Sequence, residues 1–187
     1  MKDTTISSSP NFRQPRFQLK RELVVPARLD DVFEFFSDAH NLDRITPNFL
    51  KFRVLTPAPI DMHVGTHINY ALRMRGIPLR WTSEITSWEP PYRFVDSQIK
   101  GPYRSWVHEH RFESMGDATK VIDEVAYDFF GGHFVHAPFT KRDINRIFDH
   151  RTRSLRAIFC DGKSEASHAT TSPIETETNP LPSKCNT

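Results

Sequence analysis

Residues 93–112 read RFVDSQIKGPYRSWVHEHRF. Two runs of alternating residues flank Gly101-Pro102. Side chains alternate between the two faces of a strand, so Phe94, Asp96 and Gln98 share one face of the first run. Trp106, His108, His110 and Phe112 share one face of the second. Phe94, Trp106 and Phe112 favour burial, so the polar residues of the same parity turn inward with them. Period two on both sides of a turn predicts an antiparallel strand pair whose covered face carries polar groups.

Working outward, the same period recurs. RFQLKRELVV (16–25) alternates and ends in Val-Val, as a first strand does. Pro26 suits an early helical turn. Leu29, Val32, Phe33 and Phe36 follow at helical spacing, and Asn41 to Pro47 make a second short helix stopped by its proline. NFLKFRVL (48–55) reads as a strand. THINYALRMRG (66–76) places Ile68, Tyr70, Leu72 and Met74 on one face. IPLRWTSEITSWEPP (77–91) is a strand closed by Pro-Pro, and ATKVIDEVAYDF (118–129) is the seventh. Residues 139–159 then form one long amphipathic helix, with Thr140 as N-cap and Asp143 in capping-box position. Its inner stripe is Ile144, Ile147, Phe148, Arg151, Leu155, Ile158 and Phe159, in which Arg151 is the one charged member.

The order predicts an α+β fold: a seven-stranded curved antiparallel sheet wrapped around a long C-terminal helix, with two short helices after the first strand. One domain is expected at 16–160. Residues 1–15 and 161–187 are Ser, Thr, Pro and Asn with few apolar groups and are expected to be disordered.

Composition narrows the function classes. The 187-residue chain has 25 basic and 23 acidic side chains, a net charge of +2 and a pI near 8.6. That balance calls for no nucleic-acid partner and no acidic membrane surface. No stretch approaches the ~18 apolar residues of a membrane span, so stable insertion is not expected. The N-terminus has no apolar core of a secretory signal, which points to the cytoplasm. Two cysteines, Cys160 and Cys185, make no disulfide framework and no CxxC motif. No Gly-rich phosphate loop or nucleophile elbow is present, and no cofactor is expected.

Three motifs carry a family resemblance. They are VPARLDDVFEFFSDAHNLDRITP (25–47), the block from Arg80 to Phe112, and VIDEV (121–125) ahead of the long basic helix. The chain resembles the helix-grip proteins of the SRPBCC superfamily, which are START-like and Bet v1-like. Within it, the motifs together look like those of bacterial ligand-binding members grouped with polyketide cyclase/dehydrase and coenzyme Q-binding START domains. The resemblance covers about residues 17–159. It implies a hydrophobic cavity between sheet and long helix, and a loop at 56–65 that would gate the cavity mouth; the two prolines of that loop equally suit a stiff connection.

Candidate site residues follow from parity. On the seventh strand Val121, Asp123, Val125 and Tyr127 share a face, which brings Asp123 near His108 or His110. A buried carboxylate requires a partner, and a histidine can be one. One reading is a polar patch in an apolar pocket that orients a ligand's oxygen atoms. It takes Tyr70, Phe94, Asp96, Gln98, Trp106, His108, Asp123, Tyr127 and Arg151 as ligand-binding residues. The others are a structural His-Asp pair, or Arg151 reaching in to neutralise Asp123, and a solvated face. As an enzyme of the cyclase/dehydrase kind, the protein would use His108 as general base and Asp123 to orient it. As an interaction module, it would have a filled core. His108 and His110, two apart on one strand, could bind metal with a third ligand from His63 or His67; no metal is assigned. The basic residues of the long helix, among them Lys141, Arg142, Arg146, Arg153 and Arg156, read as its wet face. The preferred function is the binding, as carrier or sensor, of a small hydrophobic molecule such as a polyketide, quinone or lipid-like compound.

Overall fold

The structure is a computed structural model that describes residues 17–129 and 141–161. Seven strands form one antiparallel sheet: β1 (Phe17–Val25), β2 (Arg53–Val54), β3 (His67–Met74), β4 (Ile77–Glu89), β5 (Arg93–Lys100), β6 (Ser105–Met115) and β7 (Ala118–Asp128). Their order across the sheet is β1-β7-β6-β5-β4-β3-β2. The chain thus runs as a meander from β2 to β7, and β1 closes the far edge beside β7. Two short helices, α1 (Leu29–Ser37) and α2 (Leu42–Ile45), follow β1, and a long helix, α3 (Lys141–Arg156), ends in a π-helical turn at Ala157–Asp161. Of the predicted disordered ends, 1–15 and 161–187, only Asp161 is described, and it closes that final turn; the rest, and the proposed cap at Thr140, lie outside the described residues.

The alternation of the sequence sets the register. Asp96 pairs with His108, Phe94 with His110, and His110 with Asp123. Polar groups from three adjacent strands therefore converge on one concave face. A β-bulge between Ile85 and Ser87 shifts the parity of β4. Trp81, Ser83 and Ile85 face inward before it, and Trp88, opposite Phe94, packs against the inward Phe94 after it. Such an extra residue also bends the strand and raises its twist, which curves the sheet.

Pro26 lies ahead of α1 rather than in its first turn. Arg28 is the N-cap and offers no side-chain bond; Asp30 and Asp31 in the first turn face the positive end of the helix dipole instead. The inner face of α1 buries Val32, Phe33 and Phe36. Phe33 meets Phe94 and Phe112 edge-on at 6.2 and 5.6 Å between centroids. The predicted strand at 48–55 is mostly absent. Asn48–Leu50 form a 3-10 turn after Pro47, Lys51 takes φ 45°, and only Arg53 and Val54 pair with β3. The cause is Leu50, which turns in to bury itself against the cavity instead of continuing the edge strand.

On α3 the buried positions are Ile144, Phe148, Arg151 and Leu155, four members of the predicted stripe. Ile144 and Phe148 pack with Val125 and Tyr127 of β7. Leu155 joins the larger core beneath α1. The helix thus lies across the concave face, as the grip architecture requires. No helix among the described residues is long and apolar enough to cross a membrane.

Candidate functional site

A cavity of about 180 Å³ lies between the sheet, α3 and the α1–α2 segment. Most of its wall is apolar, from Phe35, Leu42, Ile68, Leu72, Trp81, Trp106 and Phe148 among others. The polar exceptions fall in two sets: Asp38, Asn41 and Thr46 on the α1–α2 segment, and Ser83, Asp96, His108, His110 and Arg151, with Tyr70 nearby on β3.

Asp123 anchors the second set from behind. Its Oδ1 is 3.0 Å from His108 Nε2 and 2.8 Å from His110 Nδ1. Arg151 reaches down from α3 with Nε 2.9 Å from Asp123 Oδ2 and Nη2 3.3 Å from Oδ1. On the other side, Asp96 Oδ2 lies 3.4 Å from His110 Nε2 and 3.8 Å from His108 Nδ1. The Ser83 hydroxyl donates to Asp96 Oδ1 at 3.0 Å and accepts from Trp81 Nε1 at 3.0 Å. Two carboxylates thus bracket two closely spaced, tilted imidazoles, and one guanidinium closes the set.

Burial and charge split the two histidines. Burial pushes the His108 imidazolium down, and the charge of His110 adds to this, taking its pKa to about 4 despite Asp123. Burial acts on His110 in the same sense, but its bonds to Asp123 and Asp96 outweigh it and raise the pKa. Burial would raise Asp123, yet Arg151 and both histidines hold it well below the usual carboxylate range. Asp96 is likewise lowered against its burial, by His110 and His108. The Tyr70 hydroxyl is pushed well up, by burial and then by Asp96. It stays a neutral donor group. His110 therefore keeps its proton longest, His108 loses its proton first, and both carboxylates are ionised. With Arg151, the charges of the cluster sum to zero.

Of the residues singled out in the sequence, Tyr70, Phe94, Asp96, Trp106, His108 and Arg151 line the cavity. Asp123 stands one layer behind it. Gln98 is engaged elsewhere: its amide donates to the Tyr103 carbonyl at 2.8 Å and accepts from the Tyr103 N–H at 3.3 Å, pinning the β5–β6 turn. Tyr127 packs in a second aromatic cluster with Phe17, Trp106 and Tyr103 rather than on the cavity. Both alternatives weighed for Asp123 hold together, since the histidines and Arg151 share it. His63 and His67 lie on the exposed side; His67 faces Glu84 at 3.9 Å. The third donor near the histidine pair is Asp96. Ser83 is the polar wall residue that the sequence reading passed over, and its parity with Trp81 was the signal for it.

Comparison with known proteins gives a consistent picture. The profile of the family described as polyketide cyclase / dehydrase and lipid transport matches residues 25–156. No curated protein sequence matches the chain. Among solved structures, a START superfamily protein from Mycobacterium smegmatis is similar at 11% identity and a TM-score of 0.61, over 77% of this chain and 97% of that one. Ginseng major latex-like protein 151 from Panax ginseng is similar at 17% identity and TM-score 0.58, over 76% and 97%. A protein from Chromobacterium violaceum is similar at 11% identity and TM-score 0.61, over 76% and 96%. Likeness at such identities concerns the fold alone.

Proposed function

The chain belongs to the polyketide cyclase / dehydrase and lipid transport family, and we propose that it binds a small hydrophobic molecule with one polar end, as a carrier or sensor. The observation that carries this reading is the cavity itself. It is a mostly apolar chamber in which the polar side chains that the sheet and α3 contribute, Ser83, Asp96, His108, His110 and Arg151, are gathered at one place, while Asp38, Asn41 and Thr46 border it from the α1–α2 segment; a polar patch of this kind orients a ligand by a single end. Its volume, about 180 Å³, suits one or two rings rather than a long acyl chain. An aromatic polyketide fragment or a quinone headgroup fits that size better than a whole lipid. Trp81, Trp106 and Phe148 would stack on the apolar part, while the Tyr70 hydroxyl and His108 Nδ1 would meet the oxygen atoms.

A cyclase/dehydrase-like activity is the second reading. One observation favours it: His108 is held by Asp123 and turns its other nitrogen toward the cavity side of Asp96. A general base works best with a pKa near the operating pH. At about 4, His108 is a good acceptor for a ligand hydroxyl but a weak base, which ranks binding first.

Native mass spectrometry of gently purified protein, followed by denaturing extraction, tests the reading. A discrete hydrophobic compound released on unfolding is the expected result. His108→Ala and Asp123→Asn should weaken its rebinding while circular dichroism stays unchanged. Wild-type protein that carries nothing and takes up no apolar aromatic probe would overturn it.

A further inference from the structure

We propose that Asp96, His108 and His110 form a binding site for a divalent transition-metal ion of the zinc class, open to the cavity on its fourth side. One donor atom from each residue lies within 4.8 Å of the others. Asp96 Oδ2 stands 3.4 Å from His110 Nε2 and 3.8 Å from His108 Nδ1. A tetrahedral zinc ion with bonds of ~2.0–2.1 Å places its ligand atoms about 3.3–3.4 Å apart. The first separation fits as it stands, the second closes with a side-chain shift of a few tenths of an ångström, and the third, between the two histidine donors, lies within 4.8 Å and closes with them.

The outward nitrogens are the ones an ion needs. Asp123 Oδ1 engages His108 Nε2 and His110 Nδ1, the ring nitrogens on the far side. Metal-ligating histidines are commonly oriented in this way, by a carboxylate on the second nitrogen. Asp123 is fixed in turn by Arg151. The ring tautomers are thereby set with Nδ1 of His108 and Nε2 of His110 both turned to Asp96. A proton on His110 Nε2 answers one of these lone pairs. The other, on His108 Nδ1, faces a carboxylate oxygen at 3.8 Å, beyond hydrogen-bond range. Two acceptors thus face each other across that gap, and a cation between them would be held by both. Three protein donors with a fourth position on a cavity is the pattern of open rather than closed zinc sites.

Charge selects what occupies the fourth position. Replacing one proton of the cluster by a divalent ion leaves one excess positive charge beside Arg151. An anionic oxygen, such as a phenolate, enolate or carboxylate of the ligand, cancels it. This last step rests on the ligand-binding reading above; the ion site does not.

The test is titration of chelator-stripped full-length protein with Co2+, followed by its visible absorption and by calorimetry. The expected result is one ion per chain with the intense bands of four-coordinate cobalt. Asp96→Asn and His108→Ala should weaken binding at least tenfold, and Asp123→Asn tenfold or more through loss of ligand orientation. His67→Ala should leave it unchanged. No binding by wild-type protein, equal binding by Asp96→Asn, or loss in His67→Ala each overturns the site. A readout free of variants is 15N NMR of the imidazoles during Zn2+ addition: two rings should shift together at one equivalent, and unmoved rings overturn the proposal. Uptake of an apolar dye by the same sample separates the two readings. Cobalt bound without dye uptake retires the ligand-binding function and keeps the ion site; dye uptake without cobalt does the reverse.

Discussion

The rings of His108 and His110 lie 3.8 Å apart, centroid to centroid, at an interplanar angle of 40°. They sit two residues apart on one strand, enclosed by Asp96, Asp123, Arg151 and the rings of Phe36, Phe94 and Phe148. Two imidazoles so close cannot both be charged without repulsion, and their surroundings divide the proton between them unequally.

Stability should therefore peak near pH 6.5, the ordinary histidine value. His110 is raised, so its contribution is complete below about 6.5 and is lost as pH rises through its folded value. His108 is lowered to about 4, so the unfolded chain takes up its proton first and stability falls as pH drops from 6.5 toward 4. The slope approaches about 1 kcal/mol per pH unit at its steepest. Urea denaturation from pH 4.5 to 8.5 reads this, and His110→Asn should flatten the alkaline limb. A flat or one-sided profile would contradict the assignment.

Arg151→Met should cost about 3–5 kcal/mol, because it leaves Asp123 buried with its strongest partner gone. Adding Asp123→Asn to it should recover part of that loss. The double-mutant cycle, by urea denaturation, should show a coupling well above the ~0.5 kcal/mol of independent sites. Additive losses would mean that the contact is not a stabilising pair.

Ser83→Ala removes a donor from Asp96 and an acceptor from Trp81 at once. The residue is 1% exposed, so water cannot replace the bonds. A loss of about 1–3 kcal/mol is expected, together with a rise in the Asp96 pKa measurable by carboxyl 13C NMR. An unchanged melting temperature would show that the hydroxyl is dispensable.

Gly101→Ala tests the turn that Gln98 pins. A methyl at that position would collide with the Gln98 amide oxygen and its neighbouring carbons. The amide would have to leave Tyr103, a residue of the cavity wall. Ligand uptake should weaken severalfold with a small change in stability, read by dye binding and thermal melts side by side. Uptake at the wild-type level would mean that Tyr103 holds its place without Gln98.

Most of the sheet was legible because one face is dry. Where hydrophobic and polar residues alternate without interruption, as in 105–112 and 118–128, parity and strand adjacency sufficed to bring Asp123 to the histidines. The same logic extended to Arg151, a lone cation in an apolar stripe. It failed where the backbone breaks its own period. The bulge before Ser87 hides Trp88 from a simple count, and Leu50 is drawn inward off the edge of the sheet by burial that local spacing does not encode. Gln98 has the parity of a wall residue, but a turn three residues away supplied a better partner through its backbone. Tyr127 has the right parity too, and lies too far along the strand to reach the chamber.

The Arg151–Asp123 contact also bears on how the chain assembles. The sheet by itself gathers two carboxylates and one imidazolium, so it stays short of one positive charge until α3 settles over it. A helix docked one turn out of place, a slip of about 5.4 Å, would strand a guanidinium and a carboxylate in separate dry environments. Apolar stripes tolerate such slips, because one leucine-sized contact resembles the next; an ion pair does not. The single charge on the inner side of the helix is in this sense a registration mark.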